Sequence, residues 1–131
     1  MSEQATGTFD IDEWRPEESD EQHGTVIGRN TARKSYTGDL TGTSVVTMFT
    51  VQTPVAGSQS YVAVERITGT LHGRTGTFVL QHSATASPER QAIDITVVAD
   101  SATGELAGLT GEMVITMVGD THHFTIDYKF D

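Results

Sequence analysis

Two side chains with the chemistry for proton transfer, Glu65 and His82, lie in segments that otherwise alternate apolar and polar residues. A carboxylate enclosed by apolar side chains has a raised pKa, which suits a general acid or base, and an imidazole beside it can relay the proton. The sequence therefore predicts Glu65 as the acid or base of a catalytic site and His82 as its partner, with Lys34 and Tyr36 as orienting polar groups. The alternative is structural: Glu65 is buried and neutralised by Lys34 or hydrogen-bonded to a tyrosine, and His82 simply lies near solvent.

Other kinds of site find little support in the sequence. His122 and His123 are adjacent, so on a strand they point to opposite faces and cannot bind one metal together. His82, His122 and Glu65 could form a set of two histidines and one carboxylate, but no local ligand spacing supports it. The chain has no cysteine, no Gly-x-Ser-x-Gly motif, and no Lys-Ser or Lys-Thr after its glycine turns. We therefore expect neither a metal nor a cofactor.

Most segments alternate apolar and polar residues, and glycines separate one segment from the next. This pattern predicts an all-β chain without an amphipathic helix. The segment Arg15–Glu21 contains a proline and four carboxylates but no apolar anchor, and we interpret it as a solvated loop. All three prolines fall in predicted loops, where the missing N–H donor does no harm. The eight predicted strands are residues 5–14, 25–37, 43–51, 60–70, 74–84, 91–99, 109–118 and 121–130.

A Thr-Gly-x-Leu-x-Gly motif occurs three times, beginning at Thr37, Thr68 and Thr103. Its near-even spacing favours similar strand pairs wound round one axis, with corner glycines at the same rim. We predict an eight-stranded antiparallel up-and-down β-barrel, lipocalin-like in architecture, whose glycine turns form the closed rim. A barrel of eight strands is about wide enough to hold one small ligand.

The turns also predict which side chains face the interior, because loop length sets the pairing parity of a hairpin. With a turn centred on residues 72–73, Glu65 and His82 fall on the inner face as diagonal neighbours, roughly 5 to 8 Å apart. His82 and His122 fall at one level near the opposite rim, which predicts the mouth at the histidine end. In the first hairpin the inner set is predicted to be Lys34, Tyr36, Thr47, Phe49 and Val51. The predicted ligand-binding lining is Lys34, Tyr36, Phe49, Tyr61, Phe78, Leu80, Met117, His122, Phe124 and Tyr128.

Size and charge narrow the range of partners. The chain has 131 residues, the length of one ordinary domain, and we treat residues 1–131 as a single barrel domain. Its formal net charge of -10 repels phosphate backbones and anionic membrane surfaces, so we expect neither nucleic acid nor a membrane as a partner. The first residues lack the basic flank and apolar run of a secretory signal, and no apolar stretch is long enough to cross a membrane. A cytoplasmic location is the expectation.

Four blocks of the sequence carry a resemblance to a known family. They are Lys34–Leu40, Val64–Leu71, Gly76–His82 and Gly104–Gly111. The chain resembles a bacterial family of small proteins classified as a domain of unknown function, DUF3224, whose members have a barrel similar to allene oxide cyclase. The resemblance covers almost the whole chain and implies an eight-stranded antiparallel barrel and homo-oligomers. It implies no activity, and the wider fold group transfers no mechanism by analogy.

The function predicted from these residues is binding of a small molecule in the barrel interior. The ligand is apolar or semi-polar, and the barrel catalyses a cyclisation, an isomerisation or another acid/base step on it. Two alternatives stay open: a carrier that uses the same cavity without chemistry, and a structural or oligomerising module whose own side chains fill the interior.

Overall fold

The computed structural model describes residues 2–131, and in them the chain forms a closed antiparallel barrel. The strands in chain order are β1 Glu3–Gln22, β2 Thr25–Gly38, β3 Leu40–Gln52, β4 Gln59–Leu71, β5 Arg74–Ser87, β6 Arg90–Val97, β7 Leu109–Val118 and β8 Thr121–Phe130. Each strand pairs with its neighbours in sequence and β8 returns to β1, so the barrel is up-and-down, as predicted. A short 3₁₀ helix, Gly104–Leu106, lies between β6 and β7. No helix of residues 2–131 is long and apolar enough to cross a membrane.

The wall of the barrel is taller on one side than on the other. β1 to β5 each have 13 residues or more, whereas β6 has 8 and β7 and β8 have 10. β8 accompanies β1 only as far as the pair Phe9–His122, so the rest of β1 has a free outer edge. The end of the barrel that holds the His23-Gly24 turn is therefore oblique, with a low wall formed by β7 and β8.

The acidic segment Arg15–Glu21 belongs to β1, and its assignment as a solvated loop was wrong. It pairs with β2 in a continuous ladder from Arg15 to Gln22, with a bulge between Pro16 and Glu18. Charges do not prevent the strand because partners on β2 compensate them: Arg29 is paired with Glu18 at 2.8 Å. The missing N–H of Pro16 is tolerated beside a bulge and on an edge strand. Carboxylates along such an edge also discourage pairing with another chain.

The predicted inner set of the first hairpin was wrong for β3. The pairs Tyr36–Gly42 and Lys34–Ser44 show that a single residue, Asp39, lies at the centre of this turn. Its N–H donates to Thr6 O and its carbonyl accepts from the N–H of His72, so neighbouring strands hold the corner. This odd loop shifts the parity of β3 by one residue, whereas β2 keeps its predicted orientation. The side chains that face inward from β3 are Ser44, Val46 and Met48, and those that face outward are Val45, Thr47 and Phe49. Val51, near the end of the strand, is half-buried and lines the cavity, so it is not part of the error.

Two glycines of the repeated motif, together with Gly76 just after the second copy, bring neighbouring strands together inside the sheet. Gly42 of β3, Gly69 of β4 and Gly76 of β5 pair side by side at one level. A Cβ added to Gly69 would lie 2.1 Å from Thr41 O, and one added to Gly42 would lie 2.2 Å from Thr68 O. No side chain fits at such a distance, so these positions require glycine. The motif therefore marks the closed end as predicted, but through a row of glycines within strands rather than through the turns themselves.

The half of the barrel next to the glycine row is filled by a hydrophobic core. Its largest fully buried members come from β3, β4, β5, β7 and β8 and from the 3₁₀ helix, whose Leu106 has no exposed surface and seals the end. The core includes Leu40, Ile67, Leu71, Phe78, Leu80, Leu109, Phe124, Ile126 and Tyr128. Burial of this set holds the strands together and supplies a rigid floor for the other half of the barrel.

Candidate functional site

The other half of the barrel is a cavity of about 1020 Å³. It opens at the end opposite the glycine row, as predicted, although His82, which was predicted near that rim, lies at the floor. The walls come from β1 to β6, with one residue each from β7 and β8. Apolar side chains dominate the walls, including Trp14, Val46, Met48, Ile93 and Ile115. Lys34 and His82 reach the same space from below, where the cavity meets the buried core.

Glu65 lies beneath this cavity with no exposed surface. Its Oε1 accepts hydrogen bonds from Lys34 Nζ at 3.2 Å and His82 Nε2 at 2.8 Å. Its Oε2 accepts from Tyr36 OH at 2.5 Å and Ser44 Oγ at 2.7 Å. Four donors from the three strands β2, β3 and β5 thus surround one carboxylate, and the diagonal neighbours Glu65 and His82 are in direct contact.

These donors decide the charge of Glu65. Burial raises the pKa of the carboxyl, but the hydrogen bond from His82, the positive charge of Lys34 and the two hydroxyl donors outweigh it and lower the pKa to about 2. Burial, together with the neighbouring negative charge, raises the pKa of Tyr36 well above its usual range, so Tyr36 stays a donor. At neutral pH the cluster therefore holds an ionised carboxylate, in the arrangement expected from the structural alternative.

The cluster places Lys34 and His82 between Glu65 and the cavity. Lys34 and His82 retain 8% and 4% of their exposure and line the cavity, whereas Glu65 is shielded behind them. Lys34 Nζ also lies 4.4 Å from the centroid of the Phe9 ring, which stacks on His122 at 4.7 Å. Because ionised Glu65 can only accept, His82 donates through Nε2–H, and in the neutral ring Nδ1 is then the free basic nitrogen.

The structure brings together only some of the predicted site residues. Lys34, Tyr61, His82 and His122 line the cavity, and Glu65 and Tyr36 support it from below. Phe78, Leu80, Phe124 and Tyr128 point inward as predicted but belong to the closed half and do not line the cavity. The placement of Phe49 in the interior was wrong, since the parity shift of β3 puts it on the outer surface with 47% of its area exposed. Met117 is 52% exposed at the tip of β7 and does not line the cavity either.

Several residues of the site were missed by the reasoning from sequence. Ser44 binds Glu65 directly, and Met48 lines the cavity, but both depend on the parity of β3. Phe9 and Ile115 were not singled out as lining. Trp14 lines the mouth although core packing is the commoner role of a lone tryptophan. A prediction that β1 continues beyond Trp14 would have placed this residue at the cavity, because the longer strand raises the wall of the barrel above the core.

A second polar cluster surrounds Tyr128 at the closed end. Tyr128 OH donates to Glu3 at 2.9 Å and contacts His72 Nδ1 at 2.5 Å, and His72 Nε2 lies 3.6 Å from Asp39. These bonds join β1, β8 and the two turns at this end, which is a structural role. In residues 2–131, no three histidine or carboxylate side chains are grouped as metal ligands here or at the cavity.

Comparison with known proteins agrees with the architecture. The family model described as "Protein of unknown function (DUF3224)" matches residues 5–128. The crystal structure of a DUF3224 protein of unknown function from Shewanella oneidensis MR-1 is similar to this chain with a TM-score of 0.94 and 34% identity. That similarity covers 100% of this chain and 99% of the other. No curated protein matches the chain. This barrel is a member of the DUF3224 family.

Proposed function

We propose that this barrel binds one small, mainly apolar molecule in its open half, with the polar end of the molecule against Lys34 and His82. The observation that carries the proposal is the cavity of about 1020 Å³, whose apolar walls end on a few convergent polar groups. Small-molecule sites commonly combine a volume of roughly 300–1000 Å³ with such a lining. The open half argues against a barrel that is packed throughout, because the core stops below His82 and the cavity begins there.

The chemistry of the floor favours a ligand with an oxygen acceptor. Lys34 has three N–H donors, and Glu65 is its single hydrogen-bond partner among residues 2–131, so two donors remain for a ligand. Carboxylates at the mouth, Glu17 and Glu18, and the net charge of -10 disfavour an anion. A neutral carbonyl compound with an apolar body satisfies both conditions.

A catalytic role is a second candidate, and the His82–Glu65 hydrogen bond favours it. In that role Glu65 does not exchange protons, because its pKa of about 2 keeps it ionised. It instead fixes the orientation and tautomer of His82, which leaves Nδ1 as the base for an isomerisation or cyclisation that starts with proton removal. The predicted roles of the two residues are thus exchanged. A carrier would use the same cavity without proton transfer.

Binding can be tested with Nile red, a neutral fluorophore that carries a carbonyl group. We expect its emission to rise on addition of the protein and Trp14 fluorescence to fall, since Trp14 lines the cavity. Ala84→Phe places a ring in the cavity and should weaken binding at least about 10-fold by taking up apolar volume. Ala99→Phe, at an exposed position outside the cavity, is the matched control and should bind normally. Unchanged Nile red emission with the wild type, or equal binding by Ala84→Phe, would contradict the proposal.

The catalytic and carrier forms of the proposal separate in heavy water. A general base beside a bound ketone accelerates exchange of the hydrogens next to the carbonyl, which NMR detects as loss of their signals from 2-decanone. If His82 is this base, the wild type accelerates the exchange and His82→Gln does not, although both bind the ketone. Binding without accelerated exchange in either protein identifies a carrier.

A further inference from the structure

We propose that Lys34 condenses with an aldehyde group of the ligand to form an imine, so that the cavity binds an apolar aldehyde covalently. This inference rests on the proposed function, which places the polar end of a carbonyl compound against Lys34 and His82. Among residues 2–131, Lys34 is the only amine side chain that lines the cavity. Lysine amines are the protein groups that form Schiff bases with carbonyl compounds.

The space around Lys34 selects an aldehyde. Lys34 is 8% exposed, and its Nζ lies 3.2 Å from Glu65 Oε1 and 4.4 Å from the centroid of the Phe9 ring. Only the end of a slender molecule reaches a group enclosed in this way. An aldehyde carbon is terminal and carries one substituent, whereas a ketone carbon carries two. The apolar walls above Lys34 then hold the rest of the chain, which also keeps water away from the C=N bond.

The hydrogen bonds of Lys34 match the atoms that the reaction exchanges. One N–H donates to Glu65 Oε1, and the other two have no acceptor within residues 2–131. When a protonated amine condenses with an aldehyde, two of its hydrogens leave with the carbonyl oxygen as water. The third stays on the nitrogen of the protonated imine. Condensation at Lys34 therefore uses the two hydrogens without an acceptor and keeps the hydrogen bond to Glu65.

Glu65 neutralises the product as well as the free lysine. The ammonium group and the protonated imine each carry a single positive charge, so the ion pair is kept and neither charge is left buried without a partner. Hydrogen bonds from Tyr36 and Ser44 hold the second oxygen of Glu65 and favour its ionised form. The floor of the cavity thus stabilises the imine in its protonated state.

His82 is the base that the condensation requires. It contacts the same oxygen of Glu65 as Lys34 does, at 2.8 Å and 3.2 Å, so the two side chains lie side by side. Nδ1 of His82 takes a proton from the ammonium group, and the freed lone pair attacks the carbonyl carbon to form the C–N bond. A proton then moves from nitrogen to the former carbonyl oxygen. The imidazolium returns its proton to this hydroxyl group, the C–O bond breaks, water leaves and the C=N bond forms.

Reductive trapping with decanal tests the imine. Sodium cyanoborohydride reduces a protonated imine to a stable secondary amine, so a modified lysine gains the mass of one decyl group. The chain has two lysines, the buried Lys34 and the exposed Lys129, and exposure alone favours reaction at Lys129. We expect peptide mapping to show the opposite, with Lys34 modified at least about 10-fold more than Lys129, because the cavity holds the aldehyde beside Lys34. Equal modification, or a preference for Lys129, would overturn the proposal.

Variants locate the reaction in the cavity. Lys34→Arg keeps a positive charge beside Glu65 but cannot form an imine, so trapping should fall to the level of the exposed amines. Lys129→Arg is the matched control and should be trapped like the wild type. Ala84→Phe, which takes up cavity volume, should lower the modification of Lys34 at least about 10-fold, whereas Ala99→Phe should not. Modification of Lys34 that Ala84→Phe leaves unchanged would overturn the proposal, and the peptide map of the wild type decides the question if Lys34→Arg does not fold.

Nile red binding, measured on the same protein, separates this inference from the proposed function. If Nile red binds and decanal leaves Lys34 unmodified, the covalent step is overturned and the proposed binding stands. If Nile red does not bind and Lys34 is unmodified, both proposals are overturned. Binding of Nile red together with selective modification of Lys34 supports both.

Discussion

Replacing Glu65 with Gln should destabilise the barrel strongly at neutral pH and hardly at all at low pH. The substitution keeps the size of the side chain and one acceptor oxygen but removes the charge. Lys34, which is 8% exposed, then loses its carboxylate partner, and His82 and Tyr36 lose an ionised acceptor. A buried charge without a partner is costly because the surrounding protein replaces water poorly.

Two independent estimates give the size of the effect at neutral pH. The pKa of Glu65 falls from 4.5 to about 2 on folding, which corresponds to about 3 kcal/mol of stabilisation. Removing one partner of a buried ion pair generally costs about 3–5 kcal/mol. For a chain of this length, 3 kcal/mol lowers the melting temperature by about 10 °C.

The pH dependence follows from the direction of the shift. Since folding lowers the pKa of Glu65, its stabilisation is complete above the unfolded value near 4.5 and is lost as the pH falls toward about 2. The wild type should therefore lose its advantage over Glu65→Gln across this window. Other carboxylates affect both proteins alike and cancel in the difference.

Urea denaturation followed by far-ultraviolet circular dichroism, between neutral pH and pH values near the folded pKa, measures this difference. Glu112→Gln is the control, because Glu112 is exposed on β7 and has no side-chain hydrogen bond or ion pair within residues 2–131; it should stay within about 0.5 kcal/mol of the wild type. The double variant Lys34→Met, Glu65→Gln removes both charges and should recover part of the loss. A cost below about 1 kcal/mol at neutral pH, or a difference that does not shrink with acid, would refute the account of the cluster.

Three further substitutions test separate parts of the structure by the same denaturation measurement. Tyr36→Phe removes one donor to Glu65 and should cost about 1.5–3 kcal/mol. Because this raises the pKa of Glu65 in the folded state, the loss of stability below the unfolded value near 4.5 should be smaller and should end at a higher pH than in the wild type; an unchanged acid profile would contradict the assigned hydrogen bond. Gly69→Ala drives a Cβ against Thr41 O and should cost about 3 kcal/mol, whereas Gly57→Ala, with open space around it, should cost about 1 kcal/mol; equal costs would argue against the glycine row. Arg29→Ala breaks an exposed pair with Glu18 and should leave the free energy of unfolding close to that of the wild type, so a clear loss would mean that the charged part of β1 stabilises the barrel.

Local turn chemistry carried most of the prediction of the fold. His72-Gly73 forms a two-residue turn in which both residues have positive φ, and its pairing of Leu71 with Arg74 is the one predicted. From that register, the inward orientation of Glu65 and His82 was predicted correctly. Short turns between strongly alternating strands are predictable because neighbouring residues supply all the information.

The first hairpin could not be predicted in the same way, because its corner depends on distant strands. Asp39 occupies the turn alone since Thr6 and His72 satisfy its backbone, and its carboxylate accepts from the N–H of Thr6 at 2.9 Å. Thr6 and His72 are 33 residues from Asp39 in either direction. The hydrogen bond that Ser44 donates to Glu65 depends on the parity of β3, so it could not be predicted either.

The prediction of a loop for the acidic segment Arg15–Glu21 was wrong for a different physical reason. Charge and proline content describe how a segment interacts with water, and both are compatible with an edge strand whose side chains face solvent. Pairing with β2 extends the wall above the core, and this extension creates the depth of the cavity that Trp14 lines. Recognising a strand here requires knowing that residues 25–31 offer a partner.

The error in the predicted register of β3 comes from the composition of the strand itself. Hydrophobicity could not choose between the two parities of β3, because Val46 and Met48 on one face are matched by Val45 and Phe49 on the other. A strand whose two faces are similarly apolar specifies its own register only weakly. The register of β3 is set instead by the corner at Asp39, whose N–H donates to Thr6 O and whose carbonyl accepts from the N–H of His72.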